Sequence, residues 1–147
     1  MQEIYPYFIK FHVIFSIVFL IIAVGISFHS LYGWLTKKEY AIFEKKFRQV
    51  FLTFLYIDLL LGIILYFFLQ KPYDIVTADE AMKNSTLRFW AIQHFSNMVF
   101  VVILSQIGSI FIRKTANSNK KFKYSLLYFG AATVIILVSV GLFALRK

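Results

Sequence analysis

The sequence contains no cysteine, which excludes disulfides, thiolate metal sites, iron–sulfur clusters and cysteine catalysis together. Only two prolines occur, Pro6 and Pro72. Both lie outside the cores of the apolar runs, so the paired broken helices that build transporter sites are missing. Charge is scarce as well. Only 16% of the 147 residues are charged, with seven carboxylates and three histidines in all. There is no glycine-rich phosphate loop and no nucleophile–base pair, which removes nucleotide-dependent and hydrolytic readings. The side chains able to do chemistry are few enough to weigh one by one.

Apolar residues fill the space this leaves. They make up 60% of the chain, and mean hydropathy is +0.73, against about 45–50% apolar and 25% charged for an ordinary soluble domain. A chain this short leaves roughly a third of its unfolded surface in water when folded, so the excess points to the lipid bilayer as solvent. Four stretches stand out: Tyr5 to about Gly33, Val50 to Leu69, Phe89 to Ile112 and Tyr124 to Leu145. Each meets the requirement of about 20 residues for a spanning helix, and unpaired backbone groups forbid open strands in hydrocarbon. The first stretch is too long for a secretory signal and no small-residue cleavage site follows it. The expected architecture is a single all-α membrane domain, an up-down four-helix bundle.

The connections are short. Thr36-Lys37-Lys38-Glu39 reads as a capping box opening an amphipathic turn, and Thr77-Ala78-Asp79-Glu80 as a second one that starts a short interfacial helix. Ala116 to Lys123 reads as a polar loop. The net charge of +9 is not spread evenly. Lys37, Lys38, Lys45, Lys46 and Arg48 lie in the first connection, and Arg113, Lys114, Lys120, Lys121 and Lys123 in the third. The positive-inside rule therefore places these two connections in the cytoplasm, with both termini outside. Anionic headgroups, not nucleic acid, are the natural partners of such clusters.

Depth along each span decides what the remaining polar residues can do. His12 lies seven residues after Tyr5, and His94 six after Arg88. Both therefore sit about 9–10 Å below the outer boundary at 1.5 Å per residue. The first and third helices of an up-down bundle are diagonal, roughly 12–14 Å apart when neighbours pack at 8–10 Å. That gap suits two imidazoles with a metal centre between them, and an iron porphyrin held by one histidine on each side has this geometry. Trp90 lies one turn before His94, and Phe8, Phe15 and Phe19 lie near the His12 face. Ser16, Asn97 and Ser105 offer hydrogen bonds close by. Arg88 and Lys10 would suit a porphyrin's carboxylates, although interfacial snorkelling is the stronger account of both. His29 lies 17 residues beyond His12, about 25 Å deeper, and reads as an interfacial polar residue. Asp58 falls near the midplane, counted from Arg48 and Gln70, about 8 Å deeper than the two histidines. On that count it is a direct partner of neither. It reads as a proton-handling or second-shell group, or as a neutral acid bonded to a neighbouring hydroxyl.

At these residues the sequence resembles a family of small four-span membrane proteins of Bacteroidetes-type bacteria, usually labelled cytochrome-b-like. The likeness covers most of the chain. It is clearest in Ala81-Met82-Lys83, Leu87-Arg88-Phe89 and His94, in Gly62 to Phe67, and in Gly33-Trp34-Leu35 before Lys37-Lys38. The resemblance implies one b-type haem with His12 and His94 as axial ligands. Ser16 stands where the family often has arginine, Gln93 where it has glutamate, Asp58 where it has an amide and His29 where it has a basic residue.

The expected function is thus electron transfer by a single bis-histidine haem b in a multi-pass protein of the bacterial inner membrane. It would serve a quinone or a larger respiratory complex, alone or as a homo-oligomer, as an electron carrier more than a stand-alone enzyme. The competing reading is a cofactor-free accessory subunit whose histidines tie helices together; an ion or proton pathway through Asp58 is the weakest of the three.

Overall fold

The computed structural model describes residues 5–67 and 93–145, with side chains over 6–64 and 93–141. Four helices account for nearly all of it: α1 (Tyr5–Leu35), α2 (Ile42–Phe67), α3 (His94–Lys114) and α4 (Ser118–Leu145). There is no strand among the described residues. All four helices are long and apolar enough to cross a membrane. The chain is an all-α, multi-pass membrane bundle. Most of its large apolar side chains face outward; Ile21 and Phe28 are each 67% exposed, as expected where lipid takes the place of water.

Helix ends differ from the expected ones in two places. Thr36 does not cap α2; its hydroxyl donates back to the Tyr32 carbonyl of α1 at 2.7 Å. Lys37 adopts a left-handed backbone (φ 55°). The Lys38 amide donates to Gly33 O at 3.0 Å and the Lys37 amide to Trp34 O at 3.4 Å, the paired bonds of a Schellman terminus. The stretch read as a capping box is therefore the end of α1. The second helix starts later, and Glu44 closes it by accepting the Ala41 amide at 2.9 Å, the carboxylate half of a capping box. Consequently Lys45, Lys46 and Arg48 lie on the helix instead of in a connection.

The third connection is also shorter than expected. Thr115 turns extended (φ −100°, ψ 142°) and ends α3. Asn117 then accepts the Lys120 amide at 3.1 Å as the N-cap of α4, so Lys120, Lys121 and Lys123 are helical. The expected interfacial helix after Thr77, together with Arg88 and Trp90, lies outside the described residues.

The helices form a ring in chain order, closed by α4 against α1. Packing is closest at the α3–α4, α1–α4 and α1–α2 seams and sparser at α2–α3 among the described residues; α1 and α3 face each other diagonally. Phe51 packs tilted against Phe19 and Phe129 at centroid distances of 5.5 and 4.8 Å and is fully buried in the bundle. The α1–α4 seam is built from small residues. Ser30 bonds Ser125 at 2.6 Å, and Ser27 meets Thr133 at 3.3 Å. Lower down, a Cβ on Gly33 would run into the Phe122 ring. The Asn119 amide donates to Trp34 O at 3.2 Å and Lys121 lies over the Tyr40 ring at 5.2 Å. Both basic connections therefore share one end of the molecule.

Candidate functional site: a polar layer shared by four helices

The fourth helix serves as a ruler for the others. On one side of α4, Ser125 meets Ser30 and Thr133 meets Ser27. On its other side Ser139 accepts from Asn97 at 2.8 Å and Tyr128 lies on Gly108. An α3 residue thus carries a number about 76–81 above the α1 residue at its level. His94 is level with the stretch from about residue 13 to 18, roughly 2–9 Å along the axis from His12 at 1.5 Å per residue. The α1–α2 seam gives the same answer for the third titratable group. Glu44 meets His29, Phe51 meets Phe19 and Phe54 stacks on Phe15, which brings Asp58 to the level of residues 12 to 16.

Asp58 is the correction. The sequence count placed it about 8 Å below the histidines and in contact with neither. Instead its Oδ1 lies 3.3 Å from His12 Nδ1 and accepts a hydrogen bond from the Ser16 hydroxyl at 2.7 Å. The count erred because it set each helix separately against assumed membrane boundaries, Tyr5 and Arg88 for the histidines, Arg48 and Gln70 for the carboxylate. The hairpin itself fixes their relative height, and it was not available from the sequence. Asp58 is only 5% exposed, so its polar partners come from these two α1 residues one turn apart.

The layer therefore draws on every helix: His12 and Ser16 from α1, Asp58 from α2, His94 and Asn97 from α3, Ser139 from α4. His94 lies within electrostatic range of His12. The two histidines and Asp58 do not converge on one point, since no three His, Cys, Asp or Glu side chains form a metal-sized group among the described residues. His12 Nδ1 is buried and makes no aligned hydrogen bond. Its ring edge faces Gly62, where an added Cβ would stand 3.9 Å from Nε2. The missing side chain keeps that edge of the imidazole uncovered from α2. Ser105, expected to help nearby, lies about three turns beyond His94 on α3 and is fully buried without a partner. Lys10 is exposed.

A second cluster lies at the basic end and was not anticipated. Glu44 is 3% exposed. Its Oε1 is shared by His29 Nε2 at 3.2 Å and by the Lys38 ammonium, while Oε2 takes the Ala41 amide. His29 also packs against Phe43, Phe47 and Phe122. Tyr40 sits above it and donates to Glu44 O at 3.4 Å. Burial raises the Tyr40 hydroxyl above the ordinary phenol value, opposed by the Arg48 guanidinium beside it, so it remains a neutral donor at pH 7. The spacing Ala41-x-x-Glu44 was the available signal for this cluster, masked by the stronger-looking Thr36-x-x-Glu39.

Compared with known proteins, the chain matches no protein family, no curated relative and no solved structure.

Proposed function

We propose that this chain is a membrane-bound b-type cytochrome, with His12 on α1 and His94 on α3 as the axial ligands of one haem. The observation that carries the reading is the common level of His12, His94 and Asp58 on three different helices. The residues fit the group. Two imidazoles stand on diagonal helices, a carboxylate lies behind one of them, and Gly62 leaves the outer nitrogen of that ring uncovered. Iron porphyrin supplies reversible one-electron chemistry when bound in such a site.

The chain's own residues would each have a part. Asp58 lies where it can accept a proton-bearing Nδ1 of His12, which fixes the ring's tautomer and leaves Nε2 as the donor atom. Ser16 holds Asp58 in place. Phe15, Phe19 and Phe54 exclude water from this layer on the α1–α2 side. From the sequence spacing, Arg88 would be the cation for the porphyrin carboxylates and Trp90, one turn before His94, would line the site; both lie outside the described residues. In this reading the basic end faces the cytoplasm across a bacterial inner membrane. The electron partner is a lipid-soluble quinone or a larger respiratory complex, with self-association as a further arrangement.

A second reading has a specific observation in its favour. His12 ties α1 to α2 through Asp58, which is what a cofactor-free accessory subunit would need from a helix-bridging histidine. A reduced-minus-oxidised absorption spectrum with a pyridine haemochrome titration separates the two. The cytochrome reading expects sharp Soret and α bands at about one b-type haem per chain. They should be lost in His12→Ala and in His94→Ala and kept in His29→Ala. A protein still colourless after expression with added haem makes the chain an accessory subunit.

A further inference from the structure

The basic end holds a cation with no carboxylate partner among the described residues. Arg48 is 4% exposed, yet no carboxylate lies within 4.0 Å of it among the described residues. The carboxylate one turn away on the same helix is Glu44, and both of its oxygens are committed, Oε1 to His29 and Lys38, Oε2 to the Ala41 amide. What remains for the guanidinium is the Tyr40 hydroxyl. Side chains on a helix lean toward its N-terminus, so Arg48 reaches back from α2 toward Tyr40 and the basic end. A second cation attends the same tyrosine: Lys121 of α4 lies over the Tyr40 ring at 5.2 Å. The local count is one carboxylate against the Lys38, Arg48 and Lys121 cations.

A buried guanidinium without an anion is strongly unfavourable, because its lost hydration is not returned. A guanidinium fork is also shaped for two oxygens of one tetrahedral anion. We infer that Arg48 and Lys121 form a binding site for a phosphate group beside Tyr40, and that in the membrane the occupant is the headgroup phosphate of an anionic phospholipid. The position suits that occupant. The site is at the end where the exposed Lys45, Lys46, Lys120 and Lys123 gather. Exposed apolar side chains flank it on the helix surface, among them Phe43 at 56% and Ile42 at 70%, where acyl chains would lie. The rim lysines attract any anionic surface, whereas the buried fork selects one molecule and holds it.

Thermal unfolding of the full chain in neutral-detergent micelles tests this, with phosphatidylglycerol, phosphatidylcholine or inorganic phosphate titrated in separate arms. Phosphatidylglycerol should raise the midpoint saturably, and phosphatidylcholine should not. Arg48→Met should weaken that response at least about tenfold in half-saturating concentration, the loss of a paired charge-assisted contact. It should also raise the midpoint of the lipid-free protein, since an unneutralised charge is gone. Lys120→Gln with Lys123→Gln should leave the half-saturating concentration within about twofold, as exposed rim charges do. A saturable, Arg48-dependent response to inorganic phosphate as well would keep the site and make its occupant a soluble anion. An unaltered lipid response in Arg48→Met, or no saturable response to any anion, overturns the inference. Should Arg48→Met not fold, Arg48→Lys and Lys121→Gln take its place. Both should bind several-fold more weakly, and unchanged binding in both is the refuting result.

Discussion

One helix seam carries two histidine–carboxylate pairs, and they are not alike. His29 and Glu44 close the basic end of α1–α2, and His12 and Asp58 lie far up the same seam. Both carboxylates are buried. Around Glu44 every oxygen has its partner: a lysine, a histidine and a backbone amide. Around Asp58 there is one serine hydroxyl and an imidazole nitrogen that lies near but out of line. The first pair is finished structure, with a cation on the carboxylate and a donor on each of its oxygens. The second is held loosely and shares its level with His94, Asn97 and Ser139. Completeness, more than burial or residue type, separates a pair that fastens helices from one with capacity left for something else.

Glu44→Ala should give the largest loss. It strips His29, Lys38 and the Ala41 amide of their acceptor at once. Removing one partner of a buried pair costs about 3–5 kcal/mol, cut to roughly 2–3 kcal/mol because Lys38 is 40% exposed. Unfolding by SDS titration in mixed micelles would read it. Asp58→Asn keeps the shape and the Ser16 contact, so its loss should stay within about 1 kcal/mol. What should move is the nitrogen NMR signature of the His12 ring, and the haem spectrum where haem is bound. A loss for Asp58→Asn equal to that for Glu44→Ala would erase the distinction between the pairs.

Glycine substitutions sharpen it further. A Cβ at Gly62 meets His12 only at ordinary contact distance, 3.7 Å from Cε1. Gly62→Ala should therefore be neutral or stabilise α2 by up to about 1 kcal/mol, whereas Gly62→Leu should cover the imidazole edge and prevent haem uptake, read by the haem-to-protein absorbance ratio. The smallest effect is expected from His29→Leu. Lys38 and Ala41 still hold Glu44 and the aromatic contacts are largely kept, so the change should be about 0.5–1 kcal/mol with any haem signal untouched.

Four helices were legible in the sequence because hydrocarbon thickness sets a length that apolar runs of this size meet. The ring order with α1 and α3 diagonal was legible too, as an up-down bundle requires; which faces meet, and at what relative height, was not. A helix apolar on every side offers no stripe to say which face is inside, because lipid and protein interior are equally apolar. Ser27, Ser30 and Thr133 hold a seam that composition alone cannot distinguish from three tolerated hydroxyls. His12 and His94 could be set level because both lie a few residues below one membrane face. Asp58 needed the hairpin's register, and Glu44 was hidden by a helix end that Lys37 supplies in the conformation usually left to glycine.

The small-residue seam also has a bearing on biogenesis. It joins α1 to α4, so α1 has no Thr133 or Ser125 to pack against until α4 has been synthesised. Until then its hydroxyl-bearing groove stands open in the bilayer, where helices insert separately before they associate. A chain arrested before α4 would present that groove to other transmembrane helices or to membrane proteases. Closure of α4 onto α1 is thus the step at which a nascent chain becomes distinguishable from an unfinished one.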